Sequence, residues 1–398
     1  MIVEKIVAGG YGLSRKDGKV YFIRNAYPGE DVDIRIEKDQ KDFVIASVER
    51  INSQSPYRRK AICEYFGTCG GCEWMDLDYR AQLQYKKEIF LDQMKHAGID
   101  ISPSKIIPTS EYNYRNKVEF VVVNGQAGFF GRNSHRFVEI EKCHIISENL
   151  NTLRREIKDL RGFSHLVLRD GIEKKMAIFV STKMREIPNS SADEVVSLIS
   201  DSKIVLSGRQ RTLKGRGYLE IKINDIVYRI PPKSFFQVNY EGAKILADQV
   251  VEYAQDGKKL ADLYCGVGFF SLQLAKKFEH ITGIESSPSS IIEARKNAII
   301  NEIKNLDFKV GRTADFNLKG YSTVVMDPPR SGIDRGTMQN ILNAKPERLV
   351  YVSCDVSTFS RDARILVQKL YNIKDAVIVD MFPQTHHFEI VSLFERVI

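Results

Sequence analysis

Cys354 closes the apolar run Leu349-Val-Tyr-Val-Ser353 and precedes Asp355, downstream of Met326-Asp327-Pro328-Pro329-Arg330. A thiol placed just past a strand reads as a nucleophile, because its thiolate attacks electron-poor carbon. Further on, Pro383-Gln-Thr-His386-His387-Phe-Glu389 supplies two imidazoles and a carboxylate, groups that move protons. Upstream, Tyr264-Cys265-Gly266-Val267-Gly268 is a turn whose glycines let a ligand approach the backbone. These stretches follow the order of a nucleotide-cofactor sheet whose strand ends carry chemistry. At an ordinary thiol pKa of about 8.5, roughly 10% is ionised near neutral pH, so forming the thiolate is expected to be the minor part of the barrier.

Leu260-Ala-Asp262-Leu-Tyr264 reads as the strand entering the glycine turn, which opens a helix expected from Ser271 to Phe278. His280-Ile-Thr-Gly-Ile-Glu285 reads as the next strand, and its terminal carboxylate is placed to accept hydrogen bonds from a ribose. The turn has no third glycine, which counts against a dinucleotide.

A second constellation is Cys63-x5-Cys69-Gly-Gly-Cys72, joined by Cys143 in Lys142-Cys143-His144. Four thiols suit zinc or an iron–sulfur cluster. Six cysteines in 398 residues make no disulfide framework, and a reducing compartment is expected. The segment Met1-Ile2-Val3-Glu4-Lys5 shows no charged leader with an apolar core, and no run approaches a membrane span, so a cytoplasmic protein without membrane contact is expected. A formal charge of +8 favours a polyanionic partner.

The elements that must position these groups fall into three parts, giving a multidomain α/β chain. Residues 1–54 alternate apolar and polar in short runs, Lys19–Arg24, Asp31–Ile36 and Asp42–Val48, split by Gly9-Gly10 and Pro28-Gly29; they suggest a small antiparallel β-barrel. Its charge is nearly balanced, with 12 Lys or Arg against 9 Asp or Glu through Lys60. Residues 55–230 read as a middle α+β domain, with a helix from Tyr79 to about Ala97 ending at Gly98 and strands at Lys117–Val123, Met176–Val180 and Tyr218–Ile223. Residues 231–398 alternate short apolar strands with helix-length segments, a doubly wound sheet.

Together these motifs closely resemble the RNA 5-methyluridine methyltransferases, over nearly the whole chain. The resemblance implies a TRAM-type, OB-like RNA-binding barrel, a middle domain holding a 4Fe-4S cluster on Cys63, Cys69, Cys72 and Cys143, and a Rossmann-like domain binding S-adenosylmethionine. It implies Tyr264 beside the adenosyl group, Gly266 and Gly268 under the methionine moiety, Glu285 on the ribose, and Gln237 of Phe235-Phe236-Gln237-Val-Asn239 as a further cofactor contact. Phe269 stands where many relatives carry asparagine, a departure from the family's pattern at a position of side-chain cofactor contact. Arg312, Thr313 and Asp315 are alternatives facing the adenine. Cys354 is implied as nucleophile toward uracil C6, Glu389 as the base that removes the C5 proton, and Asp327 as a catalytic residue between cofactor and base. His386 and His387 are left as proton shuttles or as loop-positioning groups.

Tyr112-Asn-Tyr114-Arg115-Asn116-Lys117 and Gly128-Phe129-Phe130-Gly131-Arg132-Asn133-Ser134-His135-Arg136 interleave rings and cations, suiting stacking on unpaired bases and phosphate contact. Arg115, Lys117, Phe130, Arg132 and Phe235 are the expected RNA contacts, and Ser207–Gly217 adds four cations on an expected hairpin. The expected activity is uracil-C5 methylation of ribosomal RNA by a monomer, with a transfer RNA T-loop as the alternative. Two rivals fit less well. A base-amino methyltransferase also uses Asp-Pro-Pro but follows it with an aromatic residue, where this chain has Arg330. An RNA-binding iron–sulfur protein with an inactive domain would lack Cys354, Asp327 or Glu389.

Overall fold

A computed structural model describes residues 1–132, 134–201 and 204–397. The seven strands from Gly257 onward, joined by Lys105–Ile107, build one eight-stranded sheet. Its central strand Gly257–Leu263 runs parallel to Phe278–Glu285 on one side and to Thr323–Met326 on the other. Arg348–Ser353 continues the parallel set beyond Thr323–Met326, and Leu306–Val310 flanks Phe278–Glu285. Glu389–Arg396 then inserts antiparallel between Arg348–Ser353 and Tyr371–Val379. The order reverses around the central strand, and a ligand crevice opens beyond the carboxyl ends at such a reversal.

Strand alternation divides the sheet's two faces. Val324, Met326, Leu349, Tyr351 and Ile378 enter one core with Phe90 and Phe359, whereas Val325, Val350, Val352 and Val377 enter the other with Leu246 and Ala294. The helices Tyr79–His96, Arg335–Ala344 and Val356–Lys369 cover the first face; Tyr240–Ala254 and Pro288–Ile300 cover the second. The helix Tyr79–His96 and the strand Lys105–Ile107, paired with Tyr371–Val379, are thus built onto this sheet.

A seven-stranded sheet runs between them in sequence, including Lys117–Val123 and Lys175–Ser181, with the helix Glu148–Glu156 packed on it. Arg209–Lys214 is its outer strand, antiparallel to Glu194–Ile199 and exposed throughout. Residues 5–53 form a five-stranded sheet that is not wholly antiparallel as expected, since Lys19–Arg24 and Phe43–Ser53 pair in parallel, and an isolated Ile2–Asp31 bridge joins the residues ahead of its first strand to the start of Asp31–Asp39. Ile6 of that sheet is buried among Trp74, Tyr85 and Ile89, so this part shares a core with the eight-stranded sheet.

The helix Tyr79–His96 ends at Ala97 as expected, and Lys19–Arg24 and Lys117–Val123 are strands at the expected bounds. The helix expected over 271–278 is instead the short Phe269–Gln273, and Phe278 already begins the next strand. Pairing of Phe278 with Gly257 overrides the helical tendency of Leu274-Ala-Lys-Lys277. Among the described residues no helix is long and apolar enough to cross a membrane, and all six cysteines are free.

Candidate active site

Three parallel strands deliver Tyr264, Asp327 and Cys354 to one edge of the sheet. Leu263 is level with Met326, so Tyr264 and Asp327 emerge side by side; Met326 is level with Tyr351, so Cys354 stands two residues further along the neighbouring strand. Glu389 reaches the same edge because its strand runs the other way. Ser353 pairs with Ile390, and the register carried one residue further sets Cys354 beside Glu389. Residues far apart in sequence therefore converge.

Their electrostatics agree with this convergence. Burial pushes the Cys354 thiol up to about 12; Glu389 and Asp327 add to the shift, and Arg330 opposes it. Thiolate formation is therefore not the minor cost expected from the sequence, since an unburied thiol was the wrong reference. Glu389 is buried and its carboxyl is raised well above the usual range, first by burial and then by Asp327, again against Arg330. Asp327 is raised to about 7 by burial and by Asp262. A carboxylate that holds its proton this tightly is a strong base once ionised.

The loop carrying Glu389 is fixed from the opposite side. Lys86 Nζ donates to Asp380 Oδ1 at 2.6 Å and to the Phe382 carbonyl at 3.3 Å. One turn earlier on the same helix, Gln82 Nε2 donates to Gln384 Oε1 at 3.0 Å, and Gln82 Oε1 accepts from the Gln384 amide at 2.9 Å. Asn239 N-caps the helix Tyr240–Ala254 and donates to the Met381 carbonyl at 3.1 Å. Tyr114 Oη donates to the Pro383 carbonyl at 3.0 Å. Within this loop burial drives the His386 imidazole down to about 4 and that of His387 to about 3, so both rings are neutral at neutral pH.

The glycine turn leaves open space at the end of the central strand. Tyr264 and Gly266 both have left-handed backbones, φ +65° and +54°, and a side chain on Gly266 would meet only open space. The Gly266 amide donates to Glu285 Oε2 at 3.3 Å, tying the acidic residue to the turn. Tyr264 Oη donates to Asp334 Oδ2 at 3.1 Å, which carries the site toward Thr337 and Thr313. Asp262, not singled out from the sequence, is fully buried; Ser271 donates to one of its oxygens at 2.5 Å and the other has no partner. Its signal was a lone acid inside an apolar strand. Gln237 is buried, and its carbonyl accepts from Asn116 Nδ2 at 3.1 Å.

The four clustered cysteines, Cys63, Cys69, Cys72 and Cys143, line one cavity of about 250 Å³ together with Arg115. Burial raises all four thiols. Among the described residues no three His, Cys, Asp or Glu side chains close in tightly enough to hold a single metal ion.

Of the other sequence-marked residues, Tyr114 and Asn116 are turned inward, bracing the loop and the segment at Gln237. Arg115 Nε donates to the Lys117 carbonyl at 2.9 Å, and burial lowers Lys117 to about 8. Arg132 pairs with Glu73. Phe130 and Phe235 are exposed, the latter by 74%. Asn133 lies outside the described residues.

Comparison with known proteins agrees with this geometry. Residues 192–397 match the family model of the tRNA (uracil-5-)-methyltransferases. The chain is 35% identical to an uncharacterized RNA methyltransferase of Aquifex aeolicus, over 99% of this chain and 98% of that one. It is also 35% identical to one from Thermotoga maritima, over 97% and 96%. Its fold is similar to the crystal structure of Pyrococcus abyssi tRNA (uracil-54, C5)-methyltransferase in complex with S-adenosyl-L-homocysteine, with TM-score 0.81 and 27% identity over 99% of both chains. This chain therefore belongs to the class I RNA 5-methyluridine methyltransferases and is an S-adenosylmethionine-dependent RNA (uracil-5-)-methyltransferase.

Proposed function

We propose that the enzyme makes 5-methyluridine in ribosomal RNA through a covalent adduct between Cys354 and the target base. The observation that carries this reading is the register that sets Cys354 beside Glu389, with Asp327 at the next strand end. Uracil C5 is a weak nucleophile. The Cys354 thiolate adds to C6, and the C5–C6 π electrons move toward the C4 oxygen. The enolate carbon C5 then forms a bond to the methyl group as the methyl–sulfur bond breaks. Glu389 takes the C5 proton, the C5–C6 double bond returns, and the Cys354–C6 bond breaks. S-adenosylmethionine supplies the electrophilic methyl; Tyr264, Gly266, Gly268, Glu285, Gln237 and Asp327 are the residues that hold it. Desolvation of the thiol keeps it protonated in the free enzyme, so attack awaits a base in place.

Residues 1–54 are read as the TRAM-type barrel, 55–230 as the middle domain and 231–398 as the methyltransferase domain, except that Tyr79–His96 and Lys105–Ile107 of the middle stretch belong to the methyltransferase sheet and its core. The five-stranded sheet with its Ile2–Asp31 bridge supports the first part of this reading. Four thiols lining one cavity, at the spacing that resembles the cluster-bearing family members, support a 4Fe-4S cluster over zinc on Cys63, Cys69, Cys72 and Cys143. Exposed Phe130 and Phe235 suit stacking on unpaired bases, and Arg115, Lys117 and Arg132 are read as the cations that meet phosphate. We read the protein as a cytoplasmic monomer.

The ribosomal target rests on the pairing of barrel and cluster. A second reading, the transfer RNA T-loop, is favoured by the full-length likeness to the Pyrococcus abyssi tRNA (uracil-54, C5)-methyltransferase. Nuclease digestion of RNA from cells with and without the gene, followed by mass spectrometry, separates the two. Loss of 5-methyluridine from a ribosomal fragment supports the first reading, and loss from the T-loop overturns it for the second.

A further inference from the structure

The turn Ala8-Gly9-Gly10 joins the strands Lys5–Val7 and Tyr11–Lys16 of the N-terminal sheet, yet it lies at the catalytic strand ends. Three observations place it there. Ile6 is buried in the core shared with Ile89 and Trp74, and Lys5 pairs with Asp92 on the helix Tyr79–His96, so the strand leading into the turn is pinned to the catalytic unit. Gly10 has φ +75°, and a Cβ there would come within 2.8 Å of the His386 Cβ, so the bare backbone rests on that imidazole. Ala8 and Gly9 then line, with Cys354, His386, His387 and Phe388, a cavity of about 90 Å³ that opens on the thiol.

His386 Nδ1 and Glu73 Oε2 face each other at 3.5 Å beside this turn, so the imidazole on which the turn rests is also held from Glu73. An enzyme that reaches C6 must extrude the base from its stack into a closely fitting pocket.

We propose that the N-terminal sheet is part of the catalytic pocket: its Gly9-Gly10 turn, packed on the His386 ring, forms the wall that holds the extruded pyrimidine over Cys354. The proposal rests on Cys354 being the nucleophile. It assigns the sheet a role in base positioning that RNA tethering alone does not include. A side chain at Gly10 has to displace either His386 or the turn, and so misplaces the base.

The test compares Gly10→Ala with Gly18→Ala in the full-length enzyme. Gly18 has the same left-handed backbone, φ +74°, in a neighbouring hairpin of the same sheet, with nothing within 4 Å of its added Cβ. The readout is the rate of covalent adduct formation with an RNA fragment carrying 5-fluorouridine at the target, with S-adenosylmethionine affinity measured alongside. Gly10→Ala is expected to slow adduct formation by about 100-fold, the penalty of a misplacement of order 1 Å, with methyl-donor affinity unchanged. Gly18→Ala is expected to stay within about twofold of the native rate. Equal rates for the two variants would overturn the proposal. Should Gly10→Ala fail to fold, the native enzyme decides: 4-thiouridine at the target position should photocrosslink to the peptide containing Ala8–Tyr11, and crosslinks confined to residues after 231 would overturn the proposal. Failure of the native enzyme to form any adduct through Cys354 would instead strike the nucleophile assignment.

Discussion

Lys86 and Asp380, 294 residues apart in sequence, meet in an ion pair of 2.6 Å with neither side chain exposed to solvent. The pair joins the helix Tyr79–His96 to the root of the loop that carries His386, His387 and Glu389, and burial lowers the Lys86 pKa against the pull of Asp380. Removing one partner strands a charge in the core. Lys86→Met should therefore lower unfolding free energy by about 3–5 kcal/mol in urea titration, while Lys86→Met with Asp380→Leu recovers most of the loss. A single variant as stable as the native enzyme would contradict the bracing role.

The Cys354 thiol titrates near 12, so its thiolate fraction has no plateau in the neutral range. Alkylation of Cys354 by iodoacetamide in the free enzyme, followed peptide by peptide in the mass spectrometer, should rise about tenfold per pH unit from about pH 7 to pH 9. The sign follows from the raised pKa: the proton is held more tightly than on an ordinary thiol, and raising pH is what releases it. Levelling of the rate below about pH 9 would mean an ordinary thiol instead.

How far the sequence reached differs from element to element. The strand Lys117–Val123 was legible from its run of β-branched residues, and the order of glycine turn, Glu285, Asp327, Cys354 and Glu389 was legible because strand ends on one side of a parallel sheet converge. The helix after the glycine turn is shorter than its sequence suggests, since Phe278 is claimed by its pairing with Gly257. Lys86 was invisible: a lysine on a helix is usually solvated, and nothing local announces Asp380 as its partner. The cost of ionising Cys354 was equally hidden, because it comes from burial and from two carboxyls brought in by register.

Gly266→Ala separates folding from methyl-donor binding. The left-handed backbone of Gly266 makes alanine cost roughly 1–2 kcal/mol of stability, but the added methyl meets no protein atom within 4 Å. The variant should fold, and S-adenosylmethionine affinity measured by calorimetry should fall at least about tenfold, or ~1.4 kcal/mol. Unchanged affinity would move the cofactor away from this turn.

Protein purified without oxygen should be brown and contain iron and sulfide, as the four thiols around one cavity require if they hold a cluster. Cys69→Ser should diminish the iron content and RNA binding while S-adenosylmethionine affinity persists. Stoichiometric zinc with no iron would refute the cluster.

The central claim is that Cys354 bonds covalently to the target uracil and that Glu389 ends the reaction by removing its C5 proton. RNA carrying 5-fluorouridine at the target has no removable proton there, so incubation with enzyme and S-adenosylmethionine should trap a methylated protein–RNA adduct. Peptide mapping of that adduct is the most direct measurement. The account predicts attachment at Cys354, no adduct with Cys354→Ala, and adduct accumulating on ordinary uridine with Glu389→Gln. Attachment at Cys265, or an adduct that still forms in Cys354→Ala, would contradict it.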